Sequence, residues 1–132
     1  MKFYMKILIV HNHHGNKAPS GETQVVNAEI KLLREAGHTV LEFIRRTDEI
    51  SEMNRLQKFF AYLNMVFNLK SYRSVKQIIK NNKPDIMHVH NTFPLISNSV
   101  FLAARGKIPI VQTLHNYKMS CIAGTHFRNS MR

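Results

Sequence analysis

The sequence predicts an α/β domain: an open parallel sheet with helices on both faces. Three observations predict it. Lys6-Ile7-Leu8-Ile9-Val10 is a continuous β-branched and leucine run, the pattern of a strand buried on both sides rather than half-solvated. Runs of this kind are separated by stretches with apolar residues at helical spacing. Strands alternating with helices imply a parallel sheet, because each crossover helix must cover a face.

The elements follow in order. After the first strand, 6–10, a polar turn from His11 to Gly21 leads into a helix carrying Val26, Ile30 and Leu33, with Val25, Leu32 and Ala36 on the adjoining stripe. Ser20 suits its N-cap and Gly37 suits the left-handed residue that ends it. Thr39 to Ile44 makes the second strand, closing a right-handed βαβ unit, with Arg45-Arg46 just past its carboxyl end. Asp48 to Lys83 is helical, first aromatic-rich from Leu56 to Leu69, then basic with Tyr72, Val75, Ile78 and Ile79, broken near Asn68 to Ser71. Pro84 stops the helix, and Asp85 to His90 is the third strand. Asn91 to Ile96 is a loop, Ser97 to Arg105 a short helix, and Ile108 to Gln112 the fourth strand.

Composition narrows the class. The 132 residues, with five Gly and four Pro, fit a single compact domain with its own core. One cysteine, Cys121, excludes an intramolecular disulfide framework, and no leader pattern opens the chain, so a cytoplasmic setting is expected. No stretch reaches the roughly 18 apolar residues of a spanning helix, because Arg55, Lys58, Asn64, Asn68 and Lys70 interrupt the richest segment. The net charge of +11 attracts phosphates of a nucleotide, a lipid surface or a nucleic acid. The excess concentrates from 55 to 83, where Phe59, Phe60, Tyr62, Leu63, Val66 and Phe67 accompany unopposed cations. That segment reads first as a helix docked on its own core, second as a peripheral contact with an anionic membrane and last as a nucleic-acid groove.

In open parallel sheets, ligands bind outside the carboxyl ends of the strands. The exits here read His11-Asn12, Arg45-Arg46, His90-Asn91 and His115-Asn116. Imidazole and carboxamide groups supply donors and acceptors for sugar hydroxyls, phosphates or a moving proton. Any single His-Asn pair reads as a loop cap, whereas several on one rim read as a site. His88 shares a strand face with His90 but lies deeper, and reads as a packed core histidine. The turn Pro19-Ser20-Gly21-Glu22 lacks the G-x-G-x-x-G spacing of a dinucleotide loop, yet the free N–H groups of a helix start there can hold an anion. His11-x-His13-His14 and His88-x-His90 match no familiar zinc spacing, and Asp85 stands at the wrong end of its strand to join them, so no metal site is predicted. Cys121 reads as a packed or loop thiol.

Four segments together resemble the N-terminal domain of family 4 glycosyltransferases, the retaining enzymes of the GT-B fold: Lys6 to Val10 with the loop to Ser20-Gly21-Glu22, Ala36 to Val40, Lys83 to Asn91, and Pro109 to Tyr117. The resemblance covers nearly the whole chain in order. It implies a Rossmann-like acceptor domain, 1–132, that faces a donor-binding domain across a cleft. Because the donor-binding half lies outside this sequence, a truncated or split enzyme is expected, with its partner domain in cis or in trans and little activity alone. The implied reaction transfers a sugar from a nucleotide-sugar co-substrate to a glycan or lipid-linked acceptor, such as a cell-surface polysaccharide or glycolipid precursor, with no further cofactor and no obligatory metal. By the resemblance, His115 stands beside the reacting sugar, with Asn116, His90 and Asn91 orienting ligand. Ser20, Gly21 and Glu22 form the phosphate side. The competing readings are a non-catalytic basic module for membrane or nucleic acid phosphates and a small metal-dependent hydrolase.

Overall fold

The computed structural model describes residues 4–13 and 20–117; His14, Pro19 and Cys121, named in the sequence analysis, lie outside them. Four strands form one parallel sheet in the order β2-β1-β3-β4, from β1 (Lys6–His13), β2 (Thr39–Arg46), β3 (Ile86–Val89) and β4 (Ile110–Gln112). Between β1 and β2 runs α1 (Gly21–Glu35), and three helices precede β3: α2 (Asp48–Ser51), α3 (Arg55–Leu63) and α4 (Leu69–Asn82). The last helix is α5 (Ser99–Ala104).

The period-2 geometry of β1 divides the core. Leu8 and Val10 face one side with Met87 and Val89, where Val75 and Ile79 of α4 and Val100, Ala103 and Ala104 of α5 cover them. Ile7 and Ile9 face the other side and meet Val26 and Ile30 of α1. Each buried aliphatic side chain contributes about 1.5–3 kcal/mol, so both faces are driven shut. The sheet is thus covered on both faces, as the uninterrupted apolar run of β1 predicts.

Helix boundaries follow their caps. The Ser20 hydroxyl accepts from the Thr23 N–H at 3.3 Å, and Gly37 takes φ +92° just past the end of α1. At α4, Asn68 is the N-cap, its Oδ1 accepting from the Ser71 N–H at 3.0 Å, which places the helix break one turn earlier than a break at Ser71. A buried network extends from that cap: the Asn68 side-chain amide donates to the Leu95 carbonyl at 2.7 Å, and its backbone N–H donates to Ser97 Oγ at 2.8 Å. Ser99 Oγ closes it by donating to the Asn68 carbonyl at 2.9 Å.

Three sequence expectations change. Strands β1 and β2 run on to His13 and Arg46, because parallel pairing continues through His11↔Ile44, Asn12↔Arg45 and His13↔Arg46. Thus His11-Asn12 and Arg45-Arg46 lie within the sheet rather than in exit loops. The segment around α3 is also not docked on the core. Leu56, Phe59, Phe60, Leu63, Val66 and Phe67 are all exposed, and among the described side chains of the 48–83 region the buried apolar ones, Val75 and Ile79, belong to α4. The third change concerns His88, whose Nδ1 meets the Glu29 carboxylate of α1 at 2.6 Å.

Candidate functional site

The carboxyl edge of the sheet is built by hydrogen bonds that prolong the ladder beyond the strands. The His90 N–H donates to the Val10 carbonyl at 2.9 Å, the Asn12 N–H to the Asn91 carbonyl at 2.7 Å, and the Thr113 N–H to the Val89 carbonyl at 2.9 Å. His90 and Asn91 therefore sit on backbone as fixed as the sheet itself, which is what a site needs for its side chains to hold one geometry. Asn12, fully buried, fastens the neighbouring loops: its Oδ1 accepts from the Leu95 N–H at 3.2 Å and its amide donates to Thr47 Oγ1 at 3.0 Å. Its role is that of a loop clamp. Arg45 is likewise engaged, by the Glu49 carboxylate of α2.

Histidines line the α1 side of this edge. His90 Nδ1 lies 2.9 Å from His115 Nε2, with the two rings stacked at a 21° interplanar angle. His88 packs against His90 with centroids 4.2 Å apart, and His11 meets the His90 ring edge-on at 5.9 Å. His90 is 2 % exposed, and burial, followed by neighbouring His88, His115 and His11, lowers its pKa to about 3. It is a neutral imidazole at physiological pH, so a single proton is shared out along the His90–His115 contact.

Two carboxylates from α1 reach into the same edge. Glu22, in the first turn, accepts from the Asn91 amide through Oε2 at 3.1 Å and from the Asn116 amide through Oε1 at 3.3 Å. One carboxylate thereby couples the loops after β3 and β4. Two turns further along, Glu29 Oε1 stands 2.6 Å from His88 Nδ1 and its Oε2 3.5 Å from His90 Nε2. His88 Nε2 is 2.8 Å from Thr113 Oγ1. His88 is therefore not a packed core histidine: both its nitrogens are engaged by polar groups, because the strand face it occupies looks at the acidic edge of α1. Asp85 does lie at the opposite end of β3, with Oδ2 accepting from the Lys6 N–H at 2.6 Å. The carboxylate beside the histidines comes instead from a helix.

A cleft of about 200 Å³ opens beside these groups, lined by His90, Asn91, Thr92, Thr113, His115 and Asn116 among others. The residue sets expected for ligand and for phosphate thus meet through Glu22: His90, Asn91, His115 and Asn116 at the cleft, and the Ser20-Gly21-Glu22 turn beside it. Space around Gly21 is open, since a Cβ placed there meets nothing within 4 Å. Glu29 and Thr113 are the residues the sequence reading missed. The available signal was that Glu22 and Glu29 are seven apart and flank Val26 and Ile30 on one face of α1.

Comparison with known families bears on the same residues, because the model for "Glycosyltransferase Family 4" matches residues 19–129. The chain belongs to glycosyltransferase family 4. Neither a search of curated proteins nor one of solved structures returned a match. The parallel α/β sheet with helices on both faces is the Rossmann-like architecture expected for the N-terminal half of a GT-B enzyme. In this family 4 domain the matched span takes in α1, β3, β4 and every cleft residue named above.

Proposed function

We propose that the chain is the acceptor-side domain of a retaining glycosyltransferase, moving a sugar from a nucleotide-sugar to a glycan or lipid-linked acceptor in polysaccharide or glycolipid assembly. The observation that supports it best is the convergence of His115, His90, Asn91 and Asn116 on one cleft, held from α1 by Glu22. His115 is the group beside the reacting centre, where an imidazole can position or deprotonate an acceptor hydroxyl. The amides of Asn91 and Asn116 orient sugar hydroxyls. The start of α1 at Ser20-Gly21 offers N–H groups and a positive dipole end to the departing diphosphate, stabilising charge as it develops.

In this reading the domain acts with a donor-binding domain, joined in cis or supplied in trans, and the polypeptide 1–132 alone turns over little. Incubating it with mixed nucleotide-sugars and candidate acceptors, without and with a family 4 donor domain, tests this. Sugar transfer only in the presence of the second domain is the expected result. Clear turnover by 1–132 alone would overturn the requirement for a partner, and no transfer in any combination would favour a non-catalytic phosphate-binding module.

A specific observation favours a peripheral membrane location as well. No described helix is long and apolar enough to cross a membrane. Yet Val66 is 84 % and Phe59 59 % exposed, in a segment that also carries Arg55, Lys70 and Arg73. Exposed aromatics among cations suit the interface of an anionic bilayer on the cytoplasmic side, where lipid-linked acceptors would be presented. Flotation with phosphatidylglycerol vesicles is expected to carry the protein at low salt, and Phe59→Ser with Phe60→Ser to release it. Equal flotation of the double variant would remove this surface from the account.

A further inference from the structure

We propose that Glu29, His88 and His90 form a binding site for one divalent transition-metal ion of the zinc class. One donor atom from each of the three lies within 4.8 Å of those of the other two. Two imidazoles and a carboxylate are a donor set that zinc and its neighbours accept, leaving a further position for water or a ligand. The set is also mounted suitably. His88 and His90 alternate on one face of β3 and its extension, and Glu29 descends on them from the helix covering that face.

A second observation, independent of proximity, points to a ligand. His90 Nε2 is fully buried and has no hydrogen-bond partner. It is aimed at Glu29 Oε2, but at 3.5 Å the contact is too long for a good hydrogen bond. A buried ring nitrogen left unmatched is costly, and a cation between it and the carboxylate supplies the missing partner.

A third observation concerns the opposite side of each ring. The nitrogens turned away from Glu29 are both held, His88 Nε2 by Thr113 Oγ1 at 2.8 Å and His90 Nδ1 by His115 Nε2 at 2.9 Å. Such outer partners are what orient metal-bound histidines and fix their tautomers. Bond lengths of about 2.0–2.1 Å around a tetrahedral ion separate its donors by roughly 3.3 Å. The Glu29–His90 distance already meets this, and the 2.6 Å Glu29–His88 contact opens by a rotamer adjustment of Glu29, whose side chain is partly exposed. The consequence reaches the cleft. With its Nε2 lone pair on the metal, His90 carries its proton on Nδ1 and donates it to His115, so occupancy sets the tautomer of His115. The site does not depend on the glycosyl-transfer reading, because binding is measured without turnover.

The test is made on the intact 132-residue chain, stripped with chelator and titrated with Co²⁺ and then Zn²⁺. Expected are one equivalent of Co²⁺ with visible ligand-field absorption, its displacement by Zn²⁺, and affinity lowered at least about tenfold in Glu29→Gln and His88→Gln. Thr113→Val, which removes only an outer partner, is expected to weaken binding by about tenfold, and His13→Gln to leave it unchanged. No saturable uptake overturns the proposal. Uptake lost in His13→Gln but retained in Glu29→Gln and His88→Gln overturns it too, because the ion then sits elsewhere. Circular dichroism verifies that each variant is folded; should His88→Gln not fold, the wild-type stoichiometry with Glu29→Gln and Thr113→Val decides.

Discussion

His90 Nδ1 and His115 Nε2 face each other at 2.9 Å, so one of the two nitrogens, and not both, carries the proton between them. His90 is buried and neutral, whereas His115 lies on the cleft. The pair therefore behaves as a buried residue holding a half-buried one, and under the proposed function His90 would position His115. In an assembly with a donor domain, His115→Ala is expected to lower kcat by about 10²–10⁴-fold while leaving the thermal midpoint nearly unchanged. Parallel loss of activity and of melting temperature would instead make His115 structural. His90→Phe keeps a ring in place but deletes the contact, and should lower kcat with little change in KM; a pure KM effect would contradict positioning.

Stability should fall in acid through His90. Its folded-state pKa of about 3 lies below the ordinary 6.5, so between these values the unfolded chain binds more protons and stability rises with pH. The stabilisation is complete above about pH 6.5 and is lost as pH falls towards 3, at no more than about 1.4 kcal/mol per pH unit for one group. His13, whose pKa burial also lowers, acts in the same direction. Urea midpoints at pH 7, 5.5 and 4.5 should decline in the wild type and decline less in His90→Gln. Identical slopes for both proteins would assign the acid sensitivity elsewhere.

Glu22→Gln tests the clamp between two loops. The carboxylate accepts from both Asn91 and Asn116, and a carboxamide keeps one acceptor oxygen while turning an NH2 toward the other donor. One hydrogen bond to an ionised group is lost, costing about 1.5–3 kcal/mol where it forms. Because both loops line the cleft, the outcome expected under the proposed function is weaker acceptor or donor binding with a modest fall in melting temperature. Unchanged KM for both substrates would show that the clamp does not shape the cleft.

Asn68→Ala should be among the more destabilising polar substitutions. It removes the α4 N-cap, worth about 1 kcal/mol, and strands the buried Leu95 carbonyl, worth a further 1–3 kcal/mol or about that. Chemical denaturation should show a loss of about 2–4 kcal/mol, the sum of these two effects. A loss under about 0.5 kcal/mol, typical of surface changes, would mean that the network is not formed in solution.

Much of the fold was legible because its signals are local. The run Lys6 to Val10, the Ser20 cap, Gly37 and the Pro84 stop each act within a few residues, and the structure has a strand, a helix start or a helix end at each. Strand lengths were less legible. His11, Asn12, Arg45 and Arg46 look like loop residues, and it is pairing between β1 and β2 that keeps them extended. The region around α3 misled in another way: an amphipathic pattern states that a face is apolar but not what will cover it.

By itself, the sequence determined the α/β class and the alternation of elements, since hydrophobic period and capping chemistry are written along the chain, and four of its segments carried the resemblance to family 4. It also pointed to His90, Asn91, His115 and Asn116, because a parallel sheet gathers its strand exits on one edge. Only the tertiary structure decided how these residues are joined. Glu22 bridges Asn91 and Asn116, and Glu29 meets His88 and His90, because α1 lies across the sheet face on which those side chains emerge. No local pattern encodes that pairing: it depends on the crossover of α1 and the register of β1 with β3, which bring residues distant in the chain within bonding distance.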